Sequence, residues 1–247
     1  MPHSIFTAAR ETPALGGWIT LDALPVMELL AGSGFDYIGI DTQHSLIDIG
    51  AAARLLYAAP IDGPPVLVRV PSNDGAAIGK ILDCGAHGVI VPMVNSAADA
   101  RAAVAACNYY PKGVRSFGPI RTHIGRDVAA LQDRAACFAM IETTEALANL
   151  EAIVSTPGLT GIYLGPADLA VSMGLPPAAD PEPPALVEAV DRIAVACAAA
   201  GIVAGGHGLS AKHVAGLVSS GYRLISLTAD KGYMMAGAAA MLKACRG

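Results

Sequence analysis

The sequence predicts an α/β protein, a (β/α)8 TIM barrel in which eight parallel strands are each followed by a helix. Three observations lead there. Eight short apolar runs alternate with segments of helical periodicity along the 247 residues. Most of the runs are continuously apolar, as expected of parallel strands covered on both faces. Eight such units in this length suit a closed barrel better than a doubly wound open sheet. No linker-like boundary interrupts them, so the expectation is one barrel domain over residues 1–247.

The units follow in order. Gly16 to Leu21 reads as the first strand. Asp22 to Ala31 is helical, with Leu24, Met27, Leu30 and Ala31 on one face, and Gly32-Ser33-Gly34 stops it. Tyr37 to Asp41 is the second strand, and Ile49 to Ala59 its helix, ended by the Pro60–Pro64 breaker. Pro65 to Val70 is the third strand, with a helix from Asp74 to Cys84. Gly88 to Met93 is the fourth, with a helix from Ser96 to Asn108. A Pro/Gly-rich basic loop spans 109–127. It is long for a simple connection, which marks it as functional or as part of an interface. FAMIE, ending at Glu142, is the fifth strand. Thr144 to Ser155 is an amphipathic crossover, and GIYLG, ending at Gly165, is the sixth strand. A Pro-rich loop covers 175–184. Ala185–Ala200, Ala211–Ser220 and Asp230–Ala244 are helical, with the seventh strand at Ile202–Gly205 and the eighth at Leu224–Leu227.

Composition narrows the function. The chain is 53% hydrophobic, which supports a sizeable core. A net charge of −5 and no basic run argue against nucleic acid as a partner. The apolar stretches are broken by Gly, Pro and charges before they reach membrane-spanning length, and no secretory signal is read at the N-terminus. The five cysteines are scattered without a C-x-x-C, so they read as buried thiols of a reducing, cytoplasmic compartment.

Active sites of this fold lie where strands end and loops begin. Those ends carry Trp18, Asp41 with His44, Arg69, Glu142, Asp168, His207 and Asp230. Glu142 and Asp168 follow consecutive parallel strands, so they lie at one sheet edge. Two carboxylates there suit a divalent cation. They read equally well as helix caps. Arg69 follows VLV inside an apolar run, where an unpaired charge is costly, so it wants an anionic partner or an anionic substrate. A lone histidine is ordinarily structural, and His207 and His213 are read that way. His3, His87 and His123 sit in a tail, a turn and the basic loop.

The pattern D-x-x-H at Asp41–His44, V-R-V-P at Val68–Pro71, I-E-T at Ile141–Thr143 and L-G-P-x-D-L-x-x-S-x-G at Leu164–Gly174 resembles the HpcH/HpaI aldolase family. These are metal-dependent class II pyruvate aldolases of the phosphoenolpyruvate/pyruvate barrel superfamily. The resemblance runs from Gly16 to about Asp230 and includes Trp18 and the G-V-R at Gly113–Arg115.

The resemblance implies cleavage of a 4-hydroxy-2-oxo acid to pyruvate and an aldehyde through a metal-held enolate, with oxaloacetate decarboxylation as a side activity. Glu142 and Asp168 would ligate Mg²⁺, Mn²⁺ or Co²⁺. Arg69 would bind the keto oxygen. Gly165, Pro166, Ala167 and Asp168 would cradle the substrate carboxylate. His44 would be the acid/base, acting through a metal-bound water and oriented by Asp41, and Trp18 would wall the site. It also implies a homo-oligomer, a hexamer or trimer, with the C-terminal helix exchanged between subunits. The five lysines (Lys80, Lys112, Lys212, Lys231, Lys243) lie on predicted helices or loops, which disfavours a Schiff base. Met140 stands where the family often has Gln, and Gln43 where many members have Glu. Arg115, Arg121 and Arg126 are candidates for a second substrate carboxylate or for an interface. Two alternatives remain: an acyl-CoA lyase of the citrate-lyase β type, which needs a phosphate site, and a non-catalytic 2-oxo acid-binding barrel.

Overall fold

The computed structural model describes residues 4–6, 12–177 and 183–246. Eight parallel strands close into a barrel in sequence order: β1 (Ala14–Ile19), β2 (Tyr37–Asp41), β3 (Val66–Arg69), β4 (Gly88–Val91), β5 (Ala136–Ile141), β6 (Gly161–Leu164), β7 (Val203–His207) and β8 (Leu224–Ala229). This is the predicted (β/α)8 architecture. The helices outside it are α1 (Leu24–Ala31), α2 (Ile49–Ala58), α3 (Gly75–Asp83), α4 (Ala97–Cys107), α5 (Val128–Arg134), α6 (Thr144–Ala148), α7 (Leu150–Val154), α8 (Pro166–Ser172), α9 (Pro184–Ala200), α10 (Ala211–Ser220) and α11 (Asp230–Arg246).

Local chemistry sets the helix starts. Asp48, Asp74, Ser96, Asp127, Thr143 and Ser210 each accept a hydrogen bond from an amide two or three residues ahead. Gly201 and Gly221 end α9 and α10 in the left-handed region. The expected crossover over 144–155 is two short helices, because Asn149 leaves helical geometry between them. The basic loop contains a 3-10 turn at Thr122–Ile124 and runs into α5, neither of which the sequence reading places. His3 and residues 178–182 of the Pro-rich loop lie outside the described residues.

Two hydrophobic clusters hold the barrel together. The larger lies between the sheet and the helices. The smaller fills the interior and includes Trp18, Tyr37, Leu67, Ile90, Phe138, Met140, Tyr163, Val203 and Leu224. At the C-terminal rim, Asp230 is buried and accepts from the amides of Thr20 and Leu21 and from Thr20 Oγ1 at 2.7–2.9 Å. This ties the start of α11 to the end of β1. The rest of α11 is largely exposed, including Met234, Met235, Met241 and Leu242. Among the described residues no helix is long and apolar enough to cross a membrane.

Candidate active site

Pairing register puts Asp41 of β2 directly beside Arg69 of β3. Arg69 Nε donates to Asp41 Oδ1 at 2.9 Å and Nη2 to Oδ2 at 2.6 Å, a bidentate pair. Burial alone raises the Asp41 carboxyl. The hydrogen bonds and charge of Arg69, with the amides of Gln43 and His44, outweigh it and hold the group below its usual value. The Arg69 guanidinium lies 5.5 Å from the centre of the Trp18 ring. Asp41 thus fixes Arg69 from one side and Trp18 borders it on another. Asp41 reaches His44 only through that residue's backbone amide, at 3.2 Å, so its link to the histidine is to the loop rather than to the ring.

Glu142 follows β5 and is 1% exposed. Its Oε1 accepts the amide of Met93, while Oε2 is buried with no hydrogen-bond partner. Burial raises its carboxyl. The Met93 amide, Arg69 and His44 oppose that shift, and Asp168 adds to it. Met93 holds its amide there from the left-handed region, at φ 54°, a conformation that costs a non-glycine residue about 1–2 kcal/mol. Gly165 flanks the other carboxylate oxygen. A Cβ at that position would sit 2.8 Å from Glu142 Oε2 and 2.7 Å from its Cβ. Only glycine leaves that space open.

Neither carboxylate is a cap. Thr143 caps α6, and Gly165 stands at the cap position of α8. Asp168 lies in the first turn of α8 and is exposed. Among the described residues no third His, Cys, Asp or Glu completes a cluster with this pair. The donor set is two carboxylate groups, one with an unpartnered buried oxygen. That fits a hard divalent cation that takes its other ligands from substrate and solvent.

Asp168 lines an open cavity of about 330 Å³ at the C-terminal rim, and Glu142 lies buried beside Gly165, which lines it too. Its lining includes Trp18, Thr20, His44, Arg69, Met140, Tyr163, Gly165, Asp168, His207 and Thr228. His207 packs edge-on to Trp18, with ring centres 4.9 Å apart, and its Nδ1 lies 3.2 Å from the Tyr163 hydroxyl. Burial, reinforced by Arg69, lowers its pKa to about 4, so the ring is neutral at physiological pH. Tyr163 donates to Ser226 Oγ at 2.8 Å, and Ser226 shares a 2.8 Å bond with Tyr37. A polar chain therefore descends from the cavity into the barrel interior.

Residues 15–236 match the HpcH/HpaI aldolase/citrate lyase family. The chain belongs to this family. It is a carbon–carbon lyase of the aldolase type. A hydroxypyruvate/pyruvate aldolase of Rhizorhabdus wittichii is 41% identical over 192 residues, 76% of each chain. A 2-dehydro-3,6-dideoxy-6-sulfogluconate aldolase of Pseudomonas putida is 33% identical over 244 residues, 96% of this chain and 94% of that one. The crystal structure of an HpcH/HpaI aldolase/citrate lyase family protein from Burkholderia cenocepacia superposes with a TM-score of 0.88 at 25% identity, covering 97% of both chains.

The sequence-read positions of this HpcH/HpaI chain converge. Trp18, His44, Arg69, Gly165, Pro166, Ala167 and Asp168 line one cavity, with Asp41 behind Arg69 and Glu142 buried beside Gly165. Arg115, Arg121 and Arg126 do not line it. Arg115 pairs with Asp83 at 2.7 Å, Arg121 donates to the carbonyl of Ala59, and Arg126 lies over the Phe117 ring. Gln43 is half-buried outside the cavity, whereas Met140 lines it. Sequence reading took His207 for a structural residue and did not single out Tyr163, Thr20, Thr228 or the Met93 amide. His207 stood at a strand end, which was the available signal. A backbone amide leaves none.

Proposed function

We propose that the protein is a divalent-metal-dependent aldolase that cleaves a 4-hydroxy-2-oxo acid to a pyruvate-type 2-oxo acid and an aldehyde, and runs the reverse addition. The single observation that carries this reading is the buried, unpartnered Oε2 of Glu142 beside Gly165, which lines the same cavity as Asp168 and the pinned Arg69. Glu142 and Asp168 would hold Mg²⁺, Mn²⁺ or Co²⁺. When bound, the ion supplies Lewis-acid stabilisation of the charge that develops on the keto oxygen.

The chain's own residues supply the rest. Arg69 donates to the keto oxygen with the guanidinium hydrogens that Asp41 leaves free, and its fixed position avoids reorganisation as negative charge grows there. The backbone amides of Ala167 and Asp168, in the first turn of α8, have no acceptor within the helix and receive the substrate carboxylate. His44 is exposed at the cavity mouth. Its imidazole takes the proton from the 4-hydroxyl oxygen in cleavage and returns it in addition. Trp18 shields Arg69 from water. Decarboxylation of oxaloacetate needs the same charge stabilisation and accompanies the main activity.

The oligomeric state belongs to the same proposal. Apolar residues are exposed on α11, and its Tyr233 lines an open groove of about 450 Å³ together with Leu15, Leu209, Val214, Ala215 and Leu227. A homo-oligomer, a trimer or hexamer, that exchanges α11 would cover both surfaces. Light scattering that finds a monomer would remove this part.

Pyruvate release from a panel of 4-hydroxy-2-oxo acids, with and without chelator, tests the chemistry. Activity is expected to vanish on chelation and return with Mg²⁺, Mn²⁺ or Co²⁺. Turnover that survives complete chelation would sink the metal-dependent reading.

A further inference from the structure

We infer that His207 is a specificity-determining residue. Its imidazole, with the hydroxyls of Thr20 and Thr228, reads a hydroxyl group on carbon 3 of the 2-oxo acid donor. The inference rests on the aldolase reading above and deepens it.

The ring is held in a definite state. Tyr163 has one hydroxyl hydrogen and gives it to Ser226 Oγ. The 3.2 Å contact with His207 Nδ1 therefore uses the Nδ1–H as donor and the tyrosine oxygen as acceptor. Trp18 packs edge-on against the ring and limits its rotation. Nε2 is the remaining polar atom of a ring that lines the cavity. Thr20 is similarly arranged. It donates its hydrogen to Asp230 Oδ1 and keeps its lone pairs for the cavity. Thr228 adds a third neutral polar group.

A barrel interior is usually filled with apolar side chains. Here four polar ones, Tyr37, Ser226, Tyr163 and His207, form a continuous chain whose last member stands on the cavity wall. Such a chain is costly to bury unless every member is satisfied. A substrate hydroxyl at Nε2 satisfies the end of this one. A methyl group offers Nε2 no hydrogen-bond partner, although the ring keeps its contacts with Tyr163 and the Leu227 backbone. A carboxylate on carbon 3, as in oxaloacetate, would find no cation to retain it, which suits its loss as CO2. Arg69 is the one Lys or Arg side chain lining the cavity among the described residues, and it is already paired with Asp41.

Electrostatic neighbours place this wall relative to the reacting centre. The charges acting on His207 come from Arg69, Asp41 and His213. Those acting on Glu142 come from Asp168, Arg69 and His44. Arg69 is common to both sets, and both it and His207 lie against the Trp18 ring, at 5.5 and 4.9 Å from its centre. A 2-oxo acid whose keto oxygen meets Arg69 has carbon 3 one bond from the keto carbon, in the cavity that His207 and Trp18 also line.

The test compares kcat/KM for hydroxypyruvate and pyruvate as donors with one unhydroxylated aldehyde, propanal, in wild type, His207→Phe, His207→Gln and Thr228→Val. Wild type is expected to prefer hydroxypyruvate. His207→Phe should lower the hydroxypyruvate/pyruvate ratio by about tenfold or more, as expected for a site that loses its partner for a substrate hydroxyl. His207→Gln, which restores a polar atom near the Nε2 position, should recover part of the ratio. Thr228→Val removes one hydroxyl with little change in shape. It should lower the ratio too, and it serves where His207→Phe does not fold. A wild-type preference for pyruvate overturns the proposal. So does a ratio that stays within twofold in these variants, or an equal fall for both donors. Absence of turnover with either donor overturns the aldolase reading instead. Calorimetric affinities of the two acids in the presence of Mg²⁺ then provide the same ratio, and an unchanged ratio in His207→Phe still overturns the role of His207.

Discussion

Asp41→Asn isolates the part of the site that is built rather than borrowed from substrate. Asp41 accepts both hydrogen bonds of the Arg69 pair, with side chains 3% and 14% exposed, and also receives the amides of Gln43 and His44. Removing one partner of a buried pair costs about 3–5 kcal/mol. Asparagine keeps one acceptor oxygen and Arg69 retains some contact with water, so the expected loss is smaller, about 2–3 kcal/mol. In a chain of this size that lowers Tm by roughly 5–10 °C. The wild-type advantage depends on pH with a definite sign. The folded Asp41 carboxyl lies below its unfolded value of about 3.9. Its stabilisation is therefore complete above that value and disappears as pH falls through the folded pKa. Urea unfolding of both proteins at pH 7 and near pH 3 measures this, and a double-mutant cycle with Arg69→Met should show coupling of about 2 kcal/mol at pH 7. Loosening Arg69 should also lower kcat/KM about 100-fold, since small misplacements of a catalytic group are that costly. A variant as stable as wild type at pH 7, with coupling under about 0.5 kcal/mol, would refute the view that Asp41 fixes Arg69.

Three further outcomes follow from the same geometry. Glu142→Gln should weaken Mn²⁺ binding by about 100-fold or more in calorimetry, while the metal-free variant stays at least as stable as wild type. The Glu142 carboxyl is raised by burial, so its contribution is fully present below the unfolded pKa and is lost as pH rises through the folded value. Metal-free wild type should therefore gain on the variant as pH falls toward 4. His44→Ala should reduce aldol cleavage by about 100-fold or more, as for loss of a general base. Mn²⁺ affinity and Tm should be unchanged, because the side chain is exposed. Unchanged turnover would remove His44 from the mechanism. Asp230→Ala leaves three buried or half-buried donors of Thr20 and Leu21 without their acceptor. Thermal denaturation should show a loss of about 3 kcal/mol, and a shift under 2 °C would contradict the clamp.

The architecture was legible because parallel strands buried on both faces read as unbroken apolar runs, and their ends stand out as the first polar residue. Asp41, Arg69 and Glu142 were found that way. The same property hid which residues point into the barrel. In Ala136–Ile141 every position is apolar and every position is buried, so no alternation in hydrophobicity marks Phe138 and Met140 as interior. Tyr163 vanished into GIYL for the same reason. His207 looked structural because its partners, Tyr163 and Trp18, are 44 and 189 residues away in sequence, and only barrel closure brings them together. The basic loop was overread. Its arginines are bound by Asp83, a carbonyl of the protein's own backbone and an aromatic ring, and a charge count along the chain cannot see those contacts.

The position of the site follows from how glycines and aromatic rings alternate around the barrel. Gly16 pairs with Tyr37, and Gly39 pairs with Trp18, on the two adjacent strands β1 and β2. A Cβ on Gly16 would lie within about 2.6 Å of the Tyr37 ring, and one on Gly39 would collide with the Trp18 ring. Each ring therefore occupies the volume that a side chain on the neighbouring strand would otherwise fill. Gly161 does the same for Phe138, since a Cβ there would lie 2.7–2.9 Å from that ring. Once Trp18 lies across β2 at Gly39, its ring is positioned against Arg69, His207 and Tyr163. The interior glycines thus act on chemistry without touching substrate. They determine where the indole can lie, and the indole is the shared neighbour of Arg69, His207 and Tyr163. Replacing the aldehyde or the metal in an account of this site would leave that arrangement intact, because it is set by strand register and side-chain volume.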